Sequence, residues 1–209
     1  KKKKGVKRAK LIKRILLILL AVIIIGAGIA FGMVFNIVKD AKLSMQDLVL
    51  KYENSVVKDL DGNTIAVLSG DENREYISIS DMAKYLPVAF VSIEDERFYE
   101  HNGVDLKRTI AATVKYAFSK IGIGSSNYGG STITQQVIKN ATEEKDRTWQ
   151  RKVKEIARAY YVEKDLSKDQ ILELYLNLIF MGGNTNIYGV QVAANHYFSK
   201  SASELDLAE

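Results

Sequence analysis

The sequence predicts a mainly α domain carried behind one membrane-spanning helix, and three observations point that way. Residues 15–35 form a run of twenty-one without a charge, long enough to cross a bilayer at about 1.5 Å per residue. Past residue 80 the apolar positions recur at helical spacing, and Ser167-Lys168-Asp169-Gln170 reads as a capping box. Strand signals are confined to one hairpin pattern, residues 56–60 and 64–68 around Asp61-Gly62-Asn63.

Residues 1–14 hold nine of the thirty Lys and Arg and no acid. Beside an apolar span, such a tail stays on the cytoplasmic side, which puts everything after Asn36 outside. A nucleic-acid arm is the alternative reading, and the adjoining span favours the lipid surface. A signal peptide would have a shorter apolar core; the patch Gly26-Ala27-Gly28-Ile29-Ala30 leaves cleavage as the minor reading. With those nine charges set aside, the formal +5 becomes −4 for the rest, so the basic balance belongs to the anchor.

About 170 residues remain outside, enough for one domain with its own core. There is no cysteine, which excludes disulfides and thiolate metal sites. His101 and His196 are the only histidines, which excludes a His-rich metal cluster.

The hairpin is placed as a stalk near the membrane. Ser80 or Asp81 is expected to cap a short helix ending near Pro87, and Pro87 to open the next helix at its first position. Phe90, Glu94 and Phe98 then share one face at i, i+4 and i+8. A carboxylate on an apolar row is a candidate general base. Pairing of Glu94 with Arg97, or rotation into solvent, is the plainer reading. Residues 151–164 place Val153, Ile156, Ala157 and Tyr160 on one face, and the capping box opens a helix through Leu178, with Leu166 and Ile171 as its staple.

Residues 109–123 are apolar almost all round apart from Lys115 and Lys120. They read either as a buried core helix or as a helix dipping into the outer membrane surface with its lysines snorkelling. Gly129-Gly130-Ser131-Thr132-Ile133-Thr134-Gln135-Gln136 leads to Lys139 and Asn140. This run suits either a capped helix with a polar face or a site for an anionic or sugar-like ligand. Lys139, Arg147, Arg151, Lys152, Lys154 and Arg158 surround Glu155, a density of charge suited to a diphosphate or, more plainly, a solvated helix laced with pairs such as Arg151 and Glu155.

Four segments together resemble the peptidoglycan glycosyltransferases, glycosyltransferase family 51. Ile93-Glu94-Asp95-Glu96-Arg97-Phe98-Tyr99-Glu100-His101-Asn102-Gly103-Val104-Asp105 is similar to that family's first motif. Gly130 to Gln136 with Lys139-Asn140 is similar to the second, Arg151-Lys152-Val153-Lys154-Glu155 to the third, and Ile171-Leu172-Glu173-Leu174-Tyr175-Leu176-Asn177 to the fourth. The hairpin ahead of them resembles that of the bifunctional class A penicillin-binding proteins, although no serine nucleophile motif of a transpeptidase is present.

The resemblance implies a lysozyme-like helical head with a membrane-dipping jaw at about 106–129. Its boundaries would be a tail at 1–14, a span at 15–38, a stalk with the hairpin at 39–80, and the glycosyltransferase domain at 81–209. It implies polymerisation of lipid II outside the membrane, with attack of a GlcNAc 4-hydroxyl on C1 of a MurNAc, inversion, and departure of undecaprenyl pyrophosphate. Glu94 would be the general base. Glu155 would position the phosphates, help bind a divalent ion (Mg or Mn) or shuttle a proton. Lys139, Arg147 and Lys154 would touch the diphosphate, Ser131, Thr132, Gln135, Gln136 and Asn140 would line the donor site, and Asp95, Arg151 and Lys152 would be further substrate-binding residues. The partners implied are lipid II, the growing glycan strand, the membrane and the division or elongation machinery, with no nucleic acid. Residues 181–189 form a longer loop than the family pattern leads one to expect. Leu205-Asp206-Leu207-Ala208-Glu209 resembles a stretch inside the family's domain, so the domain is expected to be cut short. A glycan-cleaving enzyme on a lysozyme-like scaffold and a non-catalytic cell-wall scaffold are the two rival readings.

Overall fold

A computed structural model of the protein describes residues 2–48, 54–68, 72–123, 129–142, 144, 146, 148–182 and 186–209. It falls into two units, one ending at Ala41 and the other beginning at Lys42. The first is essentially one helix, α1 (Lys2–Val38). Its stretch Leu11–Val38 has a mean hydropathy of 3.0, and among the described residues α1 alone is long and apolar enough to cross a membrane. The basic start of the chain continues the same helix.

The second unit is mostly helical, as expected. Its order is α2 (Met45–Leu48), β1 (Ser55–Lys58), β2 (Thr64–Leu68), β3 (Asn73–Arg74), α3 (Tyr85–Glu94), α4 (Leu106–Lys120), α5 (Ile133–Thr142), α6 (Trp149–Asp165), α7 (Lys168–Leu178), β4 (Ile187–Tyr188) and α8 (Val190–Phe198). Single 3-10 turns sit at Ile79–Asp81 and Phe98–Glu100.

β1 and β2 form the expected antiparallel hairpin. The Asp59 carboxylate accepts the N–H groups of Asp61 and Asn63 at 2.9 and 2.8 Å, and Gly62 supplies the positive φ of 87° that closes the turn. These bonds, with the Asn63 side-chain amide first among them, hold the exposed Asp59 carboxyl below its ordinary pKa.

The core is built around α5, which packs on both α6 and α7. Ile133, Val137 and Ile138 of α5 and Ile171, Leu172 and Leu176 of α7 are all at most 1% exposed. Burying each such side chain stabilises the fold by roughly 1.5–3 kcal/mol. Ala159 and Val162 complete the contact from α6. The capping box at Ser167 and Gln170 is present in full, and both Leu166 and Ile171 reach the core. Gly103, at φ 84°, lies so close to α6 that a Cβ there would stand 2.5 Å from the Ala159 carbonyl oxygen.

The segment before α3 is stapled to α7 by polar side chains. Asn177 accepts the N–H of Ile77 at 3.0 Å and donates to its carbonyl at 2.9 Å, closing a small amide ring with the backbone. Glu173 accepts the Tyr76 and Ser78 hydroxyls and the Ile79 N–H. Burial acts to raise the Glu173 pKa, but these donors outweigh it and hold the carboxyl below its ordinary value.

Several local expectations are corrected. α3 begins two residues before Pro87, which therefore stands third in the helix, where its missing N–H is still one of the unpaired first four. Residues 79–81 form only a 3-10 turn, with no side-chain cap. α3 stops at Glu94 because Asp95 leaves the helical conformation (φ −157°, ψ 71°), so Phe98 lies on a separate turn, wholly buried, and does not continue the Glu94 face. The buried face of α6 is Glu155, Arg158, Ala159 and Val162 in place of Val153, Ile156, Ala157 and Tyr160. Ion pairs make burial of the two charged members tolerable, a possibility that an apolar pattern does not register.

Nor is α4 a buried core helix. Ile110, Val114, Tyr116 and Phe118 are exposed along it, and Ile121 and Ile123 follow in the same state. Asp105 caps its start by accepting the Arg108 N–H at 3.0 Å.

Candidate active site

Two adjacent carboxylates at the end of α3 are turned in opposite senses where the backbone leaves the helix at Asp95. Asp95 points inward and is 0% exposed. Its Oδ2 accepts the N–H of Ile133, the first residue of α5, at 3.0 Å, and both oxygens face His101 Nε2 at 3.0 and 3.2 Å. A carboxylate at a helix start is favoured by the unpaired N–H groups and the macrodipole there. Glu94 stays at the half-buried surface, where its Oε2 accepts the Gln136 side-chain amide at 2.9 Å. Its Oε1 accepts no hydrogen bond among the described residues. One oxygen is thus oriented and the other available.

Arg108 locks this corner. Its guanidinium donates to the Glu94 carbonyl and, at 2.8 Å, to the Gly129 carbonyl, which ties the end of α3 to the segment entering α5. That segment runs close against α4, since a Cβ on Gly130 would stand 2.7 Å from the Ala112 Cβ. Sequence reading missed Arg108; its signal was an arginine three residues past a capping aspartate on an otherwise apolar helix.

The polar run at the start of α5 serves two purposes. Thr132 and Gln135 cap the helix reciprocally, by Thr132 N–H to Gln135 Oε1 at 3.0 Å and Gln135 N–H to the Thr132 hydroxyl at 3.2 Å. The Thr132 hydroxyl also donates to the Gly103 carbonyl at 2.7 Å. Both side chains are at most 1% exposed. Gln136 instead reaches Glu94, and Ser131 accepts a hydrogen bond from the Lys152 ammonium at 3.0 Å.

Glu155 is 3% exposed, and cations hold both its oxygens: Arg151 at 2.5 Å on Oε2 and Lys152 on Oε1. Lys154 and Arg158 face a different carboxylate, Glu144, at 3.6 and 2.9 Å. The basic cluster of α6 is therefore shared between two acids and does not surround Glu155 alone. Lys139 and Asn140 line a hollow of about 210 Å³ with Glu72, Arg74, Glu144 and Phe180. Arg147 lies outside the described residues, as do residues 183–185 of the long loop.

A larger hollow of about 520 Å³ lies between the 97–107 segment and α6, and none of Glu94, Gln136, Ser131 or Lys152 lines it. At Asp105, burial and its hydrogen-bond partners compete. Burial pushes its carboxyl up, but the Arg108 N–H and Arg97, the latter at 2.5 Å, prevail and hold it below its ordinary value.

The divalent ion implied by the resemblance does not fit the groups present. Neither oxygen of Glu155 is free of a cationic partner, and among the described residues no three His, Asp or Glu side chains gather into a set of ligands. No step below passes through such an ion.

The transglycosylase family model matches residues 61–209 of this sequence. The chain belongs to the transglycosylase family. It is 40% identical over 210 residues to penicillin-binding protein 1A of Clostridium botulinum (strain Langeland), a match spanning 100% of this chain and 25% of that protein. To penicillin-binding protein 1F of Bacillus subtilis it is 40% identical over 161 residues, 77% of this chain and 22% of that one. To penicillin-binding protein 1A of Vibrio cholerae the identity is 39% over 202 residues, 96% and 24% of the two chains. The chain thus spans about a quarter of the length of these relatives. The resemblance carried by the four motifs is borne out at the level of the transglycosylase family.

Proposed function

We propose that the chain is the peptidoglycan glycosyltransferase part of a membrane-anchored enzyme that polymerises lipid II, with Glu94 as general base. One observation carries this reading. A single short run, from Ser131 to Gln136, reaches the oriented carboxylate of Glu94 at one end and, at the other, Lys152, which shares Glu155 with Arg151. Membership of the transglycosylase family supports it.

Glu94 Oε1 takes the proton of the acceptor GlcNAc 4-hydroxyl as that oxygen attacks C1 of the donor MurNAc. The C1–O bond to undecaprenyl pyrophosphate breaks on the opposite face, its electron pair stays with the pyrophosphate, and C1 inverts. A pyrophosphate gains more from fixed cations than from a strong acid. Arg151 and Lys152 supply that charge, aided by Lys139, Arg147 and Lys154, while Glu155 keeps the first two ordered. Ser131, Gln136 and Asn140 line the donor side. Asp95, Thr132 and Gln135 act from behind as the frame, because their polar atoms are buried.

In this reading α1 spans the membrane with its basic end in the cytoplasm, by the positive-inside rule. α4 lies in the outer membrane surface, where its exposed apolar side chains meet lipid. The growing strand and the division or elongation machinery are the further partners.

The test is polymerisation of lipid II by the full-length protein and its Glu94→Gln variant. The variant is expected to lose at least about a hundredfold in rate while still binding lipid II. An active variant, or shortening of preformed glycan in place of polymer growth, refutes the assignment.

A further inference from the structure

α3 ends at Glu94, so the carbonyl of the residue that bears the candidate base has lost its helical partner. The N–H four residues on, that of Phe98, goes to the Asp95 carbonyl at 2.8 Å instead. A carbonyl at the negative end of a helix macrodipole favours a cation. Arg108, in the first turn of α4, supplies one, and its Nη1 donates to the Glu94 carbonyl. From Nε the same guanidinium donates to the Gly129 carbonyl at 2.8 Å, while Nη1 stands 4.0 Å from Oδ1 of the buried Asp95. One side chain thus grips the residue carrying the base, faces the acid that follows it, and holds the segment leading to Gln136, whose amide orients Glu94 Oε2.

Arg108 is itself held from behind. Asp105, 5% exposed, accepts the Arg108 N–H at 3.0 Å on one oxygen and the Arg97 guanidinium at 2.5 Å on the other. These bonds close a ring from Glu94 along the chain to Arg97, across to Asp105 and Arg108, and back to Glu94. α4 also lies against Gly130, where a Cβ would stand 2.7 Å from the Ala112 Cβ. The guanidinium therefore has a fixed root and two fixed targets. Its N–H groups leave in set, diverging directions, which suits two carbonyls at once, whereas an ammonium is a single point donor.

We propose that Arg108 is a positioning residue for the base: by clamping the Glu94 and Gly129 carbonyls it fixes the direction in which the Glu94 carboxylate leaves α3. The inference rests on Glu94 being the base. It gives α4 a part in the site beside its exposed apolar side chains, since the clamp comes from that helix.

The experiment measures lipid II polymerisation and thermal melting for the full-length protein and its Arg108→Lys, Arg108→Ala, Glu94→Gln and doubly substituted Glu94→Gln, Arg108→Ala variants. Misplacing a base slows turnover and spares substrate binding. Arg108→Lys, which keeps the charge and loses the fork, is expected to lower kcat about tenfold, with KM for lipid II within about twofold of the wild type. Arg108→Ala should lose at least as much; if it fails to fold, Arg108→Lys carries the test. Because Arg108 acts through the base, its removal from the Glu94→Gln protein is expected to change the residual rate by less than about twofold. Full activity of Arg108→Lys beside a slow Glu94→Gln protein overturns the clamp and leaves the base assignment standing. A raised KM at unchanged kcat marks Arg108 as a substrate contact, and a tenfold loss that persists in the Glu94→Gln background marks it as a support of the fold alone; either overturns the proposal. A Glu94→Gln protein as fast as the wild type overturns both readings together.

Discussion

α4 and α5 contrast in what they bury. α4 carries the apolar side chains Ile110, Val114, Tyr116 and Phe118, yet all four are exposed along it. α5 opens on hydroxyls and amides, yet Thr132, Thr134 and Gln135 are at most 1% exposed. Polarity therefore decides burial only through partners. The buried polar residues at the start of α5 find partners inside, such as Thr134 with Glu163 at 2.6 Å, while the apolar side chains named on α4 stay exposed.

The largest effect on this contrast should come from Asp95→Ala. It strips the Ile133 N–H and His101 of their acceptor in a fully buried place, and a loss of about 3–5 kcal/mol in unfolding free energy is expected. Denaturant unfolding measures it, and a loss below about 1 kcal/mol would mean that α5 is not anchored through Asp95. Thr132→Ala removes one half of the capping box and the bond to Gly103, for an expected cost of about 1–2 kcal/mol by the same measurement.

Glu173 sharpens the comparison through pH. Its carboxyl lies below the ordinary value in the folded state, so its contribution is present above the unfolded carboxylate pKa and is lost as pH falls through the folded one. Glu173→Gln should therefore be less stable near neutrality and show a shallower acid loss in melting curves recorded between about pH 6 and pH 3. Parallel curves for the two proteins would contradict this.

The smallest effect on stability should come from α4 itself. Ile110→Ser with Phe118→Ser should shift unfolding by no more than about 0.5 kcal/mol, since neither side chain is buried. The same pair should still depress polymerisation of lipid II held in vesicles, if α4 meets lipid. A large loss of stability would return α4 to the core.

Much of the architecture was legible from local pattern. The apolar run of α1, the hairpin around Gly62 and the capping box at Ser167 all depend on residues a few positions apart. The buried face of α6 was not, because it depends on what another element presents, and for α4 the pattern left burial and a membrane-facing surface both open. Arg158 goes inside on account of Glu144, which no periodicity on α6 could register. Among the candidate site residues, the pairing of Arg151 with Glu155 at i, i+4 was readable, but Ser131 with Lys152 and Glu94 with Gln136 join distant segments.

By itself the sequence determined the helical class, the membrane-spanning candidate, the four motifs and hence the transglycosylase family, since these are written in composition, short spacing and order. Only the tertiary structure decided where the second of two neighbouring acids goes. The sequence set Glu94 on the row of Phe90 and made it the candidate base, but no local pattern placed Asp95. Asp95 is drawn inward because an N–H thirty-eight residues away, at the start of α5, needs an acceptor, and Glu94 is left at the surface with one oxygen free.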